Sequence, residues 1–398
     1  MKFNQWTLGL AALGVVSLAS VARAEEKMSA VQAAMSSTSI SGYVDTSAQW
    51  NPGTGTGNNY YKFGGESKAD GFNLNVVQLT IAKPLDEAEW AAGYRADLWF
   101  GPDANVLGTQ NGGALTAFPG RDLAIRQAYV AMRMPVGNGL DWKMGVFDSI
   151  IGYESVEAGN NPNFTRSYGH TIEPQTHTGL LGTYRFNDMI SASAGIANTF
   201  GPTINFRANP PKAESFKTYM ASVALTAPES MGFLKGSTLY AGIVNGFNAA
   251  STGNGPGNQT SFYAGATVAT PVEGLKLGLA YDNLDSHRDS GFGIGHDTWA
   301  GSVYASYQAT EKLSLHVRGE IVTSLDPFPG AGAAAENSQI WSLTGTVQYD
   351  LWKNVISRLE VRWDASDEGK YFSSNDTPAG TLNRRNSILV AANVIYKF

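Results

Sequence analysis

Arg385-Asn-Ser-Ile-Leu-Val-Ala-Ala-Asn-Val-Ile-Tyr-Lys-Phe398 closes the chain on an amphipathic strand. Ile388, Val390, Ala392, Val394, Tyr396 and Phe398 share one face, while Ser387, Asn393 and Lys397 interrupt the other. Residues two apart in a strand point the same way, so one side of this segment can meet lipid and the other water. The same period recurs upstream. Leu313, Leu315, Val317 and Ile321 alternate with Ser314, His316, Arg318 and Glu320; Trp341, Leu343, Val347 and Tyr349 with Ser342, Thr344, Thr346 and Gln348; Leu359, Val361 and Trp363 with Arg358, Glu360, Arg362 and Asp364.

From residue 39 onward the sequence reads as sixteen such segments, joined by connections that are short and long in turn. The short ones fall at 84–87, 135–139, 186–188, 227–230, 271–274, 309–312 and 350–354 and are mostly rich in Pro, Gly, Asn and Asp, the residues that tight turns require. The long ones run approximately through 51–69, 102–120, 152–173, 201–213, 248–258, 285–295, 326–337 and 367–383. So many consecutive strands leave no separate apolar core to bury, and the apolar faces are therefore assigned outward. The fold expected is all-β: a sixteen-stranded transmembrane antiparallel barrel with short periplasmic turns and long extracellular loops.

Two places resist a single reading. Strand 121–134 fits either Leu123, Ile125 and Tyr129 or Ala124, Val130 and Met132 outward, which decides whether Arg126 enters the lumen. The segment 142–151 changes phase near Phe147-Asp148, the mark of a bulge.

Composition agrees with a membrane barrel. Only 16% of residues are charged, against about 25% in soluble domains, and no run of about 18 apolar residues follows the N-terminus to form a spanning helix. Residues 1–24 read as a signal peptide, with Lys2, an apolar stretch from Leu8 to Val21 and small residues around Ala22-Arg23-Ala24. Residues 25–38 follow as a short periplasmic segment, and 39–398 as the barrel. The net charge of −6 gives no reason to expect nucleic acid as a partner. With no cysteine, disulfides and thiol chemistry are excluded. Five scattered histidines give no metal spacing, and no nucleotide or nucleophile motif stands out, so neither cofactor nor catalytic residues are expected.

One segment carries a family resemblance: Phe147-Asp-Ser-Ile-Ile-Gly-Tyr-Glu154, Asn160-Asn-Pro-Asn-Phe-Thr-Arg-Ser-Tyr168 and Glu173-Pro-Gln-Thr-His-Thr-Gly179. It resembles the OmpL-like β-barrel porin family of Gram-negative outer membranes, in which a comparable segment follows the fifth strand. The resemblance implies a porin of the bacterial outer membrane and leaves the solute undefined. Tyr396 and Phe398 are similar to the assembly signal of such barrels, which adds outer-membrane lipid and the barrel-assembly machinery as partners; a homotrimer is an expectation by analogy.

The segment is the third long loop, which in general porins folds inward and narrows the channel. Glu154, Glu157 and Glu173 offer it negative charge, and Arg166 the opposite sign, with His170 and His177 adding to it as pH falls. Tyr168 packs against the wall or lines the bore. Turned inward, these groups face Arg318, Glu320, Arg358, Glu360 and Arg362, and rings of charge at a constriction select ions. Arg95, Asp97, Lys143 and Arg185 are further lumen candidates. An alternative is that Arg166 and Glu173 pair to fix the loop. The function expected is passive diffusion of small hydrophilic solutes and ions. The rivals are a substrate-specific channel for an oligosaccharide or organic acid, and a barrel-anchored enzyme or adhesin, for which Ser314 and His316 form the nearest approach to a catalytic pair.

Overall fold

The computed structural model describes residues 37–53, 61–64, 68–110, 122–208, 216–247, 258–286, 296–324, 339–373 and 382–398. The signal peptide and nearly all of segment 25–38 lie outside the described residues. Sixteen strands are described: β1 Ser39–Trp50, β2 Gly71–Lys83, β3 Ala92–Phe100, β4 Leu123–Met134, β5 Leu140–Asp148, β6 Thr176–Arg185, β7 Ile190–Ala197, β8 Thr218–Thr226, β9 Thr238–Phe247, β10 Asn258–Ala269, β11 Leu275–Ser286, β12 His296–Gln308, β13 Leu313–Ser324, β14 Gln339–Trp352, β15 Val355–Ser366 and β16 Asn386–Lys397. They close into one barrel in chain order, with β16 paired antiparallel to β1. At the seam, Gly42 and Phe398 exchange two backbone hydrogen bonds of 3.0 Å.

The alternation puts apolar groups outside. On β15, Leu359, Val361 and Trp363 are 55%, 48% and 44% exposed, while Arg358, Glu360 and Arg362 between them are 4% or less. On β16, Ile388, Val394, Tyr396 and Phe398 are exposed and Ser387, Ala391, Asn393 and Ile395 buried. Trp50, Phe72, Trp341 and Trp363 stand outward near the long loops, and Tyr307, Tyr349, Trp352, Tyr396 and Phe398 near the short turns. Such aromatic girdles border the apolar band of a membrane barrel.

Both readings of β4 are half right. The β3–β4 ladder pairs Asp97 with Gln127 and then Leu98 with Ile125, leaving Arg126 as an extra residue. Leu123 and Ile125 therefore face out before the bulge and Val130 and Met132 after it, while Arg126 and Gln127 both become buried. The irregularity expected at Phe147-Asp148 belongs to this neighbour, since β5 pairs β6 without a break as far as Asp148 with Thr176. A bulge re-aims side chains, and here it delivers an arginine to the lumen.

Among the described residues two five-residue α-helices lie in the loops: α1, Asp103–Leu107, and α2, Tyr168–Ile172. The Ser167 hydroxyl caps α2 by accepting the His170 N–H at 3.0 Å.

Candidate channel constriction

The third long loop, residues 149–175, leaves β5, reaches the far wall at β13–β15 and returns to β6. Its peptide groups, displaced from strand pairing, need partners inside the barrel. Wall side chains supply them. Glu360 accepts the N–H groups of Phe164 and Thr165 at 2.6 and 2.9 Å and the Thr165 hydroxyl at 2.6 Å. Glu320 accepts the Tyr168 N–H at 2.8 Å. Arg318 donates to the Thr165 carbonyl at 2.7 Å, Arg362 to the Arg166 carbonyl at 2.7 Å, and Arg358 to the carbonyls of Ala158 and Asn161 at 3.1 and 2.6 Å. The Tyr168 hydroxyl donates to Asp364 at 2.8 Å, and the Arg362 guanidinium lies over the rings of Tyr61 and Tyr168.

Side chains that alternate inward as a charged wall thus act as a set of clamps. Arg318, Glu320, Glu360 and Arg362 are at most 5% exposed, and Arg358 is 4%. Glu154 completes the set, accepting from Arg318 at 2.9 Å, Tyr304 at 3.2 Å and the Ser167 N–H at 2.9 Å. Arg166 does not pair with Glu173; it donates to the carbonyls of Val156 and Phe164 and stacks over Phe63.

A second cluster ties the loop to β3–β5. Asp97 takes Arg95 at 2.8 Å and Arg126 at 2.7 Å, Glu157 takes Arg95 at 3.0 Å and Arg126 at 3.1 Å, and Arg126 also reaches Asp148 at 2.5 Å. Arg126 and Asp148 were not singled out as a pair in the sequence, because only the bulge brings the arginine inward. Arg185, expected along the lumen, sits at the rim, 67% exposed and bound to Asp188.

The two loop-associated histidines do not supply the pH-dependent charge expected of them. His170 is 2% exposed, neither ring nitrogen has a hydrogen-bond partner among the described residues, and burial, with Arg166 and Lys62 nearby, holds its pKa well below the usual range. His177 is fully buried, with Nε2 3.3 Å from the Ser149 hydroxyl. Glu173 contacts a second buried carboxyl, Asp282 of β11, and burial and that neighbour push its pKa well above the carboxylate range. His316 lies within hydrogen-bond reach of two hydroxyls, Ser314 at 3.0 Å and Ser306 at 2.9 Å.

With the β13–β15 side filled, open space remains against the opposite wall. A cavity of about 490 Å³ runs between the loop and β3–β9, lined by Arg95, Lys143 and Asp148, the hydroxyls of Thr183, Ser191, Ser193 and Ser222, and the rings of Tyr129 and Tyr240.

Comparisons with known proteins agree with the barrel fold. The fold is similar to the outer membrane channel DcaP of Acinetobacter baumannii at 13% identity, covering 91% of this chain and 97% of that one, TM-score 0.57. It is also similar to an anion-selective porin from Comamonas acidovorans (12% identity, 91% and 99% covered, TM-score 0.58) and to Salmonella typhi OmpF in complex with daunomycin (15%, 91% and 97%, 0.56). No curated protein matches the chain in sequence. The family described as Putative beta-barrel porin-2, OmpL-like, matches residues 37–398, so the chain belongs to that family and is a porin of the bacterial outer membrane.

Proposed function

We propose that the protein passes small hydrophilic solutes and ions by passive diffusion, through a bore that the third long loop narrows from one side only. The observation that carries this reading is the asymmetry of the interior: the loop is clamped to β13–β15 by the buried Arg318–Glu154 pair and by wall side chains hydrogen-bonded to its backbone, and the polar cavity of about 490 Å³ lies along β3–β9. Hydroxyls and charged groups on that wall replace part of a solute's hydration as it passes. Catalysis is not part of this reading: among the described residues the hydrogen bonds of His316 run to two serines, whereas a catalytic imidazole is oriented by a carboxylate. A homotrimer is consistent with the fold, since the structurally similar OmpT of Vibrio cholerae has been solved in a trimer form.

Planar-bilayer recording of the refolded protein tests the reading. Ohmic single-channel steps in KCl, rising when the clamps on the loop are removed, support it; a folded barrel that conducts nothing overturns it.

A further inference from the structure

We propose that the open cavity contains a subsite for small organic monocarboxylates, with the Lys143 ammonium as its anchor, an inference that rests on the diffusion reading above. The cations nearest to Lys143 are all committed. Arg95 and Arg126 are held by Asp97, Glu157 and Asp148, and Arg133 by Asp141 at 2.7 Å. Among the described residues no carboxylate sits at ion-pair distance from Lys143. Its register places it between Ala131 of β4 and Leu181 of β6, neither of which can accept a proton, and its ammonium lies 5.0 Å above the Tyr129 ring. An ammonium carries three donors and a strong demand for polar partners, and one that borders an open cavity with no carboxylate at ion-pair distance is a site for an anionic oxygen.

The walls indicate what that oxygen belongs to. Ile150, Leu181 and the Tyr129 and Tyr240 rings give the cavity apolar surface that an inorganic anion cannot use, and Thr183, bonded to Ser193 at 2.9 Å, opens a hydroxyl track beside it. The volume lies in the range of ordinary small-molecule sites. The charge is single. Asp97, Asp148 and Glu157 outnumber Arg95 and Arg126 in the adjoining cluster, so a second carboxylate on the solute would meet repulsion. The subsite therefore prefers a monocarboxylate to a dicarboxylate of the same length.

A four-carbon series tests this in the refolded protein: butyrate, its neutral amide butyramide, and succinate, each added to single channels conducting KCl. Butyrate is expected to reduce the current saturably, the other two to do so at concentrations at least tenfold higher. Lys143→Gln is expected to raise the half-blocking butyrate concentration at least tenfold, and Lys143→Arg to keep it within about threefold. Equal effects of butyrate and butyramide, a stronger effect of succinate, or an unchanged response in Lys143→Gln would overturn the subsite while leaving the channel reading intact. A refolded barrel without KCl conductance would instead strike the channel reading itself.

Discussion

Arg318 on β13 and Glu154 on the third long loop form an ion pair of 2.9 Å, with side chains 0% and 1% exposed. Arg318 keeps Glu320 as a second ion-pair partner at 2.6 Å, so neutralising Glu154 weakens the attachment of the loop to the wall without leaving the guanidinium unpaired, a loss of about 1–3 kcal/mol for one charge-assisted contact. Glu154→Gln should therefore loosen this end of the loop, which Glu360, Arg358 and Arg362 still hold elsewhere, while the barrel, whose strand ladder does not involve this carboxylate, stays closed. Single-channel current should rise and become noisier, with the heat-resistant electrophoretic form unchanged. A variant that conducts like the wild type would show that the pair does not hold the loop in a position that limits the current.

The pH response of the loop follows from two groups outside the strands. Glu173, facing Asp282, Glu154 and Lys62, has its pKa raised well above its unfolded value, so its contribution to docking is full at low pH and lost as pH rises through the folded value. His170, facing Arg166, Lys62 and Arg318 and 3.8 Å from Glu173, has its pKa depressed, so its contribution is present above its unfolded pKa of about 6.5 and lost as pH falls below that. Channel noise should increase at both extremes. Glu173→Gln should remove the alkaline limb and His170→Gln the acid limb; identical pH profiles in all three proteins would contradict the assignment.

Phe398 closes the seam through two backbone bonds with Gly42 and stands half exposed on the outer face. Deleting it removes those bonds and the terminal aromatic, but leaves the β1–β16 register from Tyr43 with Lys397 onward. Refolding into vesicles should fall modestly, and assembly in cells much more if the terminus acts as an assembly signal there. Equal losses in both assays would reduce the residue to a structural role.

The strand plan was legible because β13–β16 keep one polarity per face throughout; Arg318, Glu320, Arg358 and Arg362 could be assigned inward from period two alone. What they do there could not. Their partners lie far away in sequence, Glu154 being 164 residues from Arg318 and Thr165 195 from Glu360, and no local pattern encodes which loop atom meets which wall group. Arg126 was ambiguous for another reason, since a bulge breaks the alternation that the reading relies on. Asp282 went unmarked because its role arises only where α2 presses Gly169 against it, a glycine whose missing side chain makes room for the carboxylate.

The outward assignment itself can be tested at Val361, which is 48% exposed near the middle of β15, between the buried Glu360 and Arg362. If this face meets acyl chains, an arginine there must be desolvated or drag water into the bilayer, a loss of about 2–4 kcal/mol at the midplane. Val361→Arg should lower the urea midpoint for refolding into vesicles accordingly. Ser193→Arg is the matched control: it points into the open cavity, where water solvates the added charge, so stability should change little while the reversal potential in a KCl gradient shifts toward anions. The opposite pattern, a tolerated Val361→Arg and a destabilising Ser193→Arg, would mean that the apolar faces pack inward and that the lumen is not wet.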